Sequence, residues 1–114
     1  VLGASEKPDR YSNLATKKLT AHQHNVVAVG NKAGDINGVP ITTGTPNVSD
    51  VDTVTLYLNP TNQQPYYDYI IGLQPKRIIF NPGTENPELQ QLAASKGIAT
   101  IEACTLVLLQ TGQY

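Results

Sequence analysis

A chain of 114 residues with a formal net charge of −1 holds one domain with one modest core. That charge gives no electrostatic case for nucleic acid or an anionic membrane surface, and no apolar stretch is long enough to span a bilayer. A single cysteine cannot close an internal disulfide, which fits a reducing, cytoplasmic setting. No cluster of His, Cys and acids has metal-ligand spacing, and His22 and His24 are expected as surface residues near a helix end.

In chain order, Val1-Leu2 reads as the end of a first strand that breaks at Gly3. A strand usually has about five residues, so the natural protein is expected to extend slightly upstream. The spacing of Leu14, Ala15, Lys18, Leu19 and His22 predicts a helix over 12–23, with Ser12 as its cap. Val26-Val27-Ala28-Val29 is a continuous apolar run, as in a strand buried on both faces. The segment 30–50 is rich in Gly, Asn, Thr and Pro. It reads mostly as loop, with a short edge strand around Val39 to Thr42.

Thr53 to Leu58 is the next strand, ended by Asn59-Pro60. A helix over 62–72 follows, with Pro65 in its first turn. It carries Tyr66, Tyr67 and Tyr69, which offer a surface for a homodimer or larger assembly. Arg77 to Phe80 reads as a strand. The helix over 86–96 has the clearest punctuation. Asn86 caps it, Pro87 and Glu88 open it, Leu89, Leu92 and Ala93 face the core, and Lys96-Gly97 closes it. Ile98 to Ile101 forms a last strand and Thr105 to Gln110 a short terminal helix.

This alternation predicts an α/β fold: an open, mainly parallel, Rossmann-like sheet with helices on both faces, spanning 1–114 as a single domain. In such sheets ligands bind beyond the carboxyl ends of the strands. The residues there are Gly3-Ala4-Ser5, Gly30-Asn31-Lys32, Asn59-Pro60, Asn81-Pro82-Gly83 and Cys104. A strand that breaks at glycine and re-enters as a helix can surround a phosphate with N–H groups. Pro8, Arg10 and Ser12 lie in that turn, and Arg10 adds a cation with two-oxygen reach. Gly3 alone is not a G-x-G-x-x-G fingerprint and can equally make a tight turn. Asn31-Lys32 carries no acid, so it suits a ribose phosphate better than a free ribose hydroxyl, or else Lys32 is a solvated charge. The loop of Asn81 and Gly83 lines a ligand channel, holds an anion, or is only a turn with a good cap. Cys104 is either a thiol activated by a helix start or a small buried side chain.

The spacing G-A-S-x-x-P-x-R-x-S at Gly3 to Ser12 resembles the small CoA-binding-domain family, related to the CoA-binding part of succinyl-CoA synthetase alpha subunits. Val29-Gly30-Asn31-Lys32, Ile36-x-Gly38 and Val51-Asp52-Thr53-Val54 resemble further family pieces, as do Phe80-Asn81-Pro82-Gly83 and Glu102-Ala103-Cys104. The resemblance implies CoA or an acyl-CoA as the small-molecule ligand, with its adenosine phosphate near Lys32 and its pantetheine arm along the Asn81 loop. The family often keeps a cysteine at the position of Cys104, but its usual preceding arginine is Ala103 here. Succinyl-CoA synthetases need a phosphorylated histidine from a further domain, and no histidine lies at a strand-to-helix turn. The expected function is therefore non-catalytic CoA binding. An NAD(P)- or adenine-nucleotide-binding regulator and a small thiol-dependent enzyme using Cys104 are the alternatives.

Overall fold

The computed structural model describes residues 1–114. Six strands form: β1 (Ala28–Val29), β2 (Gly34–Ile36), β3 (Val39–Thr42), β4 (Thr53–Leu56), β5 (Arg77–Phe80) and β6 (Ala99–Glu102). Five helices alternate with them: α1 (Tyr11–Ala21), α2 (Pro60–Gln63), α3 (Tyr67–Gly72), α4 (Pro87–Ser95) and α5 (Thr105–Gln110). β4, β5 and β6 are parallel neighbours, β1 pairs parallel with β3, and β2 lies antiparallel outside β3. Leu2 joins the two halves through parallel bridges to Val29 and Leu56. The order across the sheet is therefore β2-β3-β1-Leu2-β4-β5-β6.

Alternation along the strands sends side chains to two layers. Leu2, Val29, Val54, Leu56, Ile78 and Phe80 pack against Ile70 of α3 and Leu89 and Ala93 of α4. The opposite face meets α5, as the Thr55–Thr105 hydroxyl contact at 2.8 Å shows. There α1 lies beside α5. Helices thus cover both faces, as the alternating pattern predicts. No helix is long and apolar enough to cross a membrane.

Several local expectations change. The run Val26 to Val29, expected as a strand buried on both faces, is strand only at Ala28–Val29, and Val27 is exposed. Ser12 does not cap α1: Arg10 holds the cap position in extended backbone (φ −76°, ψ 139°), and Ser12 is buried inside the helix. The helix expected over 62–72 is divided by a 3₁₀ turn at Gln64–Tyr66, because Pro65 has no N–H to donate to an α-helical ladder. The segment 30–50 contains a hairpin, and β3 is an inner strand flanked by β1 and β2 rather than an edge. Asn37-Gly38 turns that hairpin with φ of 48° and 91°, the left-handed pair that favours Asn-Gly. By contrast α4 forms as read. Asn86 Oδ1 accepts from Leu89 N–H at 3.3 Å, with Pro87 at the start.

Candidate functional site

The carboxyl ends of Leu2, β1, β4, β5 and β6 share one rim, and the chain is tightly fitted there. Gly3 and Ala4 both donate their N–H groups to Val29 O, at 2.8 and 2.9 Å. Gly3 has φ +101°, and a Cβ there would meet the Tyr57 carbonyl carbon at 3.0 Å. A Cβ at Gly30 would collide with the Ala4 carbonyl oxygen. Both glycines let the first loop sit against the ends of β1 and β4. The N–H groups of Gly3 and Ala4 are spent on the sheet and are not free to hold a ligand; the groups that follow them are Ser5 to Ser12.

Among these the start of α1 is open. The N–H groups of Tyr11 and Ser12 begin α1, where no intrahelical acceptor exists. The cap residue Arg10 makes no side-chain bond, and the first turn has no acid. The hydroxyl of the buried Ser12 has no partner within the chain; only its carbonyl is engaged, by Thr16. Pro8 lies in the turn that Arg10 N–H closes on Lys7 O at 3.1 Å. Ser5 Oγ accepts from Lys7 N–H at 3.2 Å. Arg10, Asn31 and Lys32 are exposed. The single salt bridge of the chain, Lys76–Asp52 at 3.8 Å, involves neither Arg10 nor Lys32.

The other rim helices are closed. Asn59 Oδ1 caps α2 by accepting Asn62 N–H at 2.9 Å, ahead of Pro60. Asn86 closes α4 in the same way. The first N–H of α5, at Thr105, is taken by Asn81 Oδ1 at 2.8 Å. Cys104, half-buried, occupies the cap position of this short helix without a side-chain bond.

Asn81 ties the rim together from below. Its Nδ2 donates to Thr55 Oγ1 at 2.7 Å and Leu56 O at 2.8 Å, and the residue is 2% exposed. Its side chain is fully used inside the protein. Gly83 lies on the exposed outer turn of the same loop, φ +90°, with its N–H donated to Glu85. The buried Gln63 amide links two rim loops through Leu58 O and Thr84 O, both at 2.8 Å. It also accepts from Asn86 Nδ2 at 2.8 Å.

Four contributors escaped the sequence reading: Gln63, Glu6, Asn13 and Tyr57. Gln63 and Asn13 sit at polar positions that helical periodicity does not mark as buried. Glu6 accepts Asp35 N–H at 3.0 Å and lies against Gly34, tying the first loop to β2. Asn13 donates to Ser5 O at 2.9 Å, which leaves its buried Oδ1 without a partner. The Tyr57 hydroxyl is also buried and unpartnered. It lies beside Thr55, Thr105 and Cys104, and burial pushes its pKa up to about 12. Of these two orphaned atoms, Asn13 Oδ1 belongs to the side chain that holds the Gly3–Ser5 loop, and such atoms are unusual in a packed interior.

A cavity of about 630 Å³ lies elsewhere. It opens at the amino ends of the strands, between Val27, Asp50, Thr53, Arg77 and Tyr114. Arg77 there stacks on the Tyr114 ring at 4.6 Å and donates to Tyr114 O at 3.3 Å. Size alone does not select the site. The open helix start, the exposed cations Arg10 and Lys32 and the orphaned Asn13 Oδ1 lie toward the opposite rim, and they fit a phosphorylated nucleotide cofactor.

An open, mainly parallel sheet with helices on both faces defines a Rossmann-like domain. The chain belongs to the CoA binding domain family, whose model matches residues 1–110. Membership supports CoA binding in general. A solved structure of an uncharacterized protein is 47% identical with TM-score 0.96, covering 99% of this chain and 93% of that one. A hypothetical protein from Pyrococcus horikoshii OT3 is 24% identical with TM-score 0.86, covering 96% and 79%. A protein from Thermus thermophilus is 19% identical with TM-score 0.84, covering 99% and 87%. The latter two share the fold. No curated protein matches the sequence.

Proposed function

We propose that this chain binds CoA or an acyl-CoA at the carboxyl rim of its sheet and does not itself transform it. The observation that carries this reading is the open start of α1, beside two unpaired cations, on a rim whose other helices are closed. The N–H groups of Tyr11 and Ser12, with the Ser5 and Ser12 hydroxyls, take the diphosphate, and Arg10 adds charge. Gly3, Ala4 and Pro8 shape the loop. Asn31 and Lys32 face the ribose phosphate. Asn59, Pro60 and Gly83 border the pantetheine arm, Asn81 holds their loops in place, and Cys104 lies at the thiol end.

A second reading, an NADP-binding regulator, draws on the same Lys32, since both ligands carry a ribose phosphate. The thiol-enzyme reading has less support. The short α5 gives Cys104 no free first N–H, because Asn81 already holds it. A reducing cytoplasm, where Cys104 stays a thiol, suits the binding role.

Calorimetric titration with CoA and NADP tests the assignment. Arg10→Ala removes one charge-assisted contact and weakens CoA roughly tenfold or more, from a loss of about 1.5–3 kcal/mol. Lys96→Ala leaves affinity unchanged, because Lys96 closes α4 at the opposite rim. Equal affinities for the two variants remove Arg10 from the site. A response to NADP without one to CoA selects the second reading.

A further inference from the structure

The two edges of the sheet are treated differently. At one edge β2 is three residues long, and its outward Asp35 N–H is capped by the Glu6 carboxylate at 3.0 Å. Such devices stop an edge from recruiting another strand. At the other edge β6 has no cap, proline, lysine or bulge across Ala99–Glu102. Ala99 N–H donates inward to Lys76 O at 3.2 Å and Ala103 N–H to Phe80 O at 3.1 Å. Residues 99, 101 and 103 therefore bond to β5, and the N–H and C=O groups of Thr100 and Glu102 point outward. Between them Ile101, an apolar residue in an edge strand, is 39% exposed.

We propose that the β6 edge pairs with the β6 edge of a second copy of this chain, antiparallel and about a two-fold axis through Ile101. This register is self-complementary. Thr100 pairs with the partner's Glu102 and Glu102 with the partner's Thr100, each pair exchanging two backbone hydrogen bonds. All the outward groups of both residues are then used. Ile101 meets the partner's Ile101 across a non-hydrogen-bonded position, where side chains approach most closely, and both are covered. No like charges face each other. Glu102 faces the partner's Thr100, and its carboxylate keeps the hydrogen bond it accepts from Gln90 Nε2 at 3.0 Å. The tyrosines of the 66–69 segment are not needed: Tyr67 and Tyr69 hydroxyls already bond to Asn86 and to Pro46 O. The two carboxyl rims point in opposite directions in this dimer. A four-residue edge contact is small, so association is concentration-dependent rather than permanent.

Sedimentation velocity of the full chain across micromolar to near-millimolar protein tests this. The expected result is a monomer–dimer equilibrium. Thr100→Pro deletes an outward N–H without touching the β5 ladder, and Ile101→Lys places like charges on the axis. Both shift the protein to monomer while circular dichroism and melting stay near those of the parent. As a positional test, Ile101→Cys in a Cys104→Ala background forms a disulfide-linked dimer on mild oxidation, whereas Val107→Cys in that background does not. A strictly monomeric parent overturns the proposal. So does a dimer that survives both edge substitutions, or a disulfide formed equally well from either position.

Discussion

Replacing Asn81 with alanine tests how the rim is built. Asn81 donates to Thr55 Oγ1 and Leu56 O and accepts from Thr105 N–H, all within 2.8 Å and all buried. Thr55 Oγ1 keeps its contact with Thr105 Oγ1, so that group is not orphaned. Leu56 O and Thr105 N–H lose their side-chain partner in the interior. Each costs about 1–3 kcal/mol, and water entering the vacated space recovers part, leaving about 3–4 kcal/mol in all. That is a large share of a total of about 5–15 kcal/mol. At about 4 °C per kcal/mol for a chain of this size, Tm falls by about 15 °C. Urea unfolding followed by circular dichroism is the assay, with the midpoint lowered and the slope unchanged. Asn81→Asp keeps the acceptor for Thr105 but buries a carboxylate, and its loss is partly recovered on acidification. A loss below about 1 kcal/mol in Asn81→Ala refutes the view that this amide is the tie between β4, β5 and α5.

Tyr57 gives a pH signature. Its folded pKa of about 12 lies above the ordinary 10.0, so its neutral form contributes stability that is intact below pH 10 and lost as pH rises toward 12. Tyr57→Phe removes an unpartnered hydroxyl, leaves neutral-pH stability equal or higher, and flattens that alkaline loss in melts recorded across the range. Gly30→Ala forces the Ala4 carbonyl to move. Its expected costs are about 1–3 kcal/mol in urea unfolding and weaker CoA binding in titration, because the first loop shifts with it. Alkylation of Cys104 slows when CoA is bound, by occlusion at the rim. Mass spectrometry of iodoacetamide-treated protein reads this, and equal rates with and without CoA take Cys104 out of contact with the ligand.

The parallel core was legible because β5 carries an apolar run and β4 alternates β-branched threonine with Val54 and Leu56, both bounded by polar loops, and α4 because Asn86-Pro87-Glu88 announces its start. The hairpin of β2 and β3 escaped because three residues, Gly34-Asp35-Ile36, carry no visible alternation, although Asn37-Gly38 was a turn signal in plain sight. The cap of α1 was misplaced because Ser12 is a good capping residue by type, while the turn through Lys7 and Pro8 brings Arg10 to that position. The stretches that meet at the rim could be named from strand ends alone. Their division of labour could not. That Gly3 and Ala4 serve the sheet, that Asn81 faces inward, and that Asn13 and Tyr57 carry orphaned atoms all depend on contacts between residues far apart in sequence.

In the proposed complex the ligand sits at the carboxyl rim and not in the 630 Å³ cavity at the amino ends of the strands. Backbone amide resonances recorded while CoA is titrated into the ¹⁵N-labelled chain test this most directly. The account predicts that the largest shifts fall on Ser5, Glu6, Tyr11, Ser12 and Lys32. Shifts confined to Val27, Asp50, Thr53, Arg77 and Tyr114, or no shifts at all, contradict it.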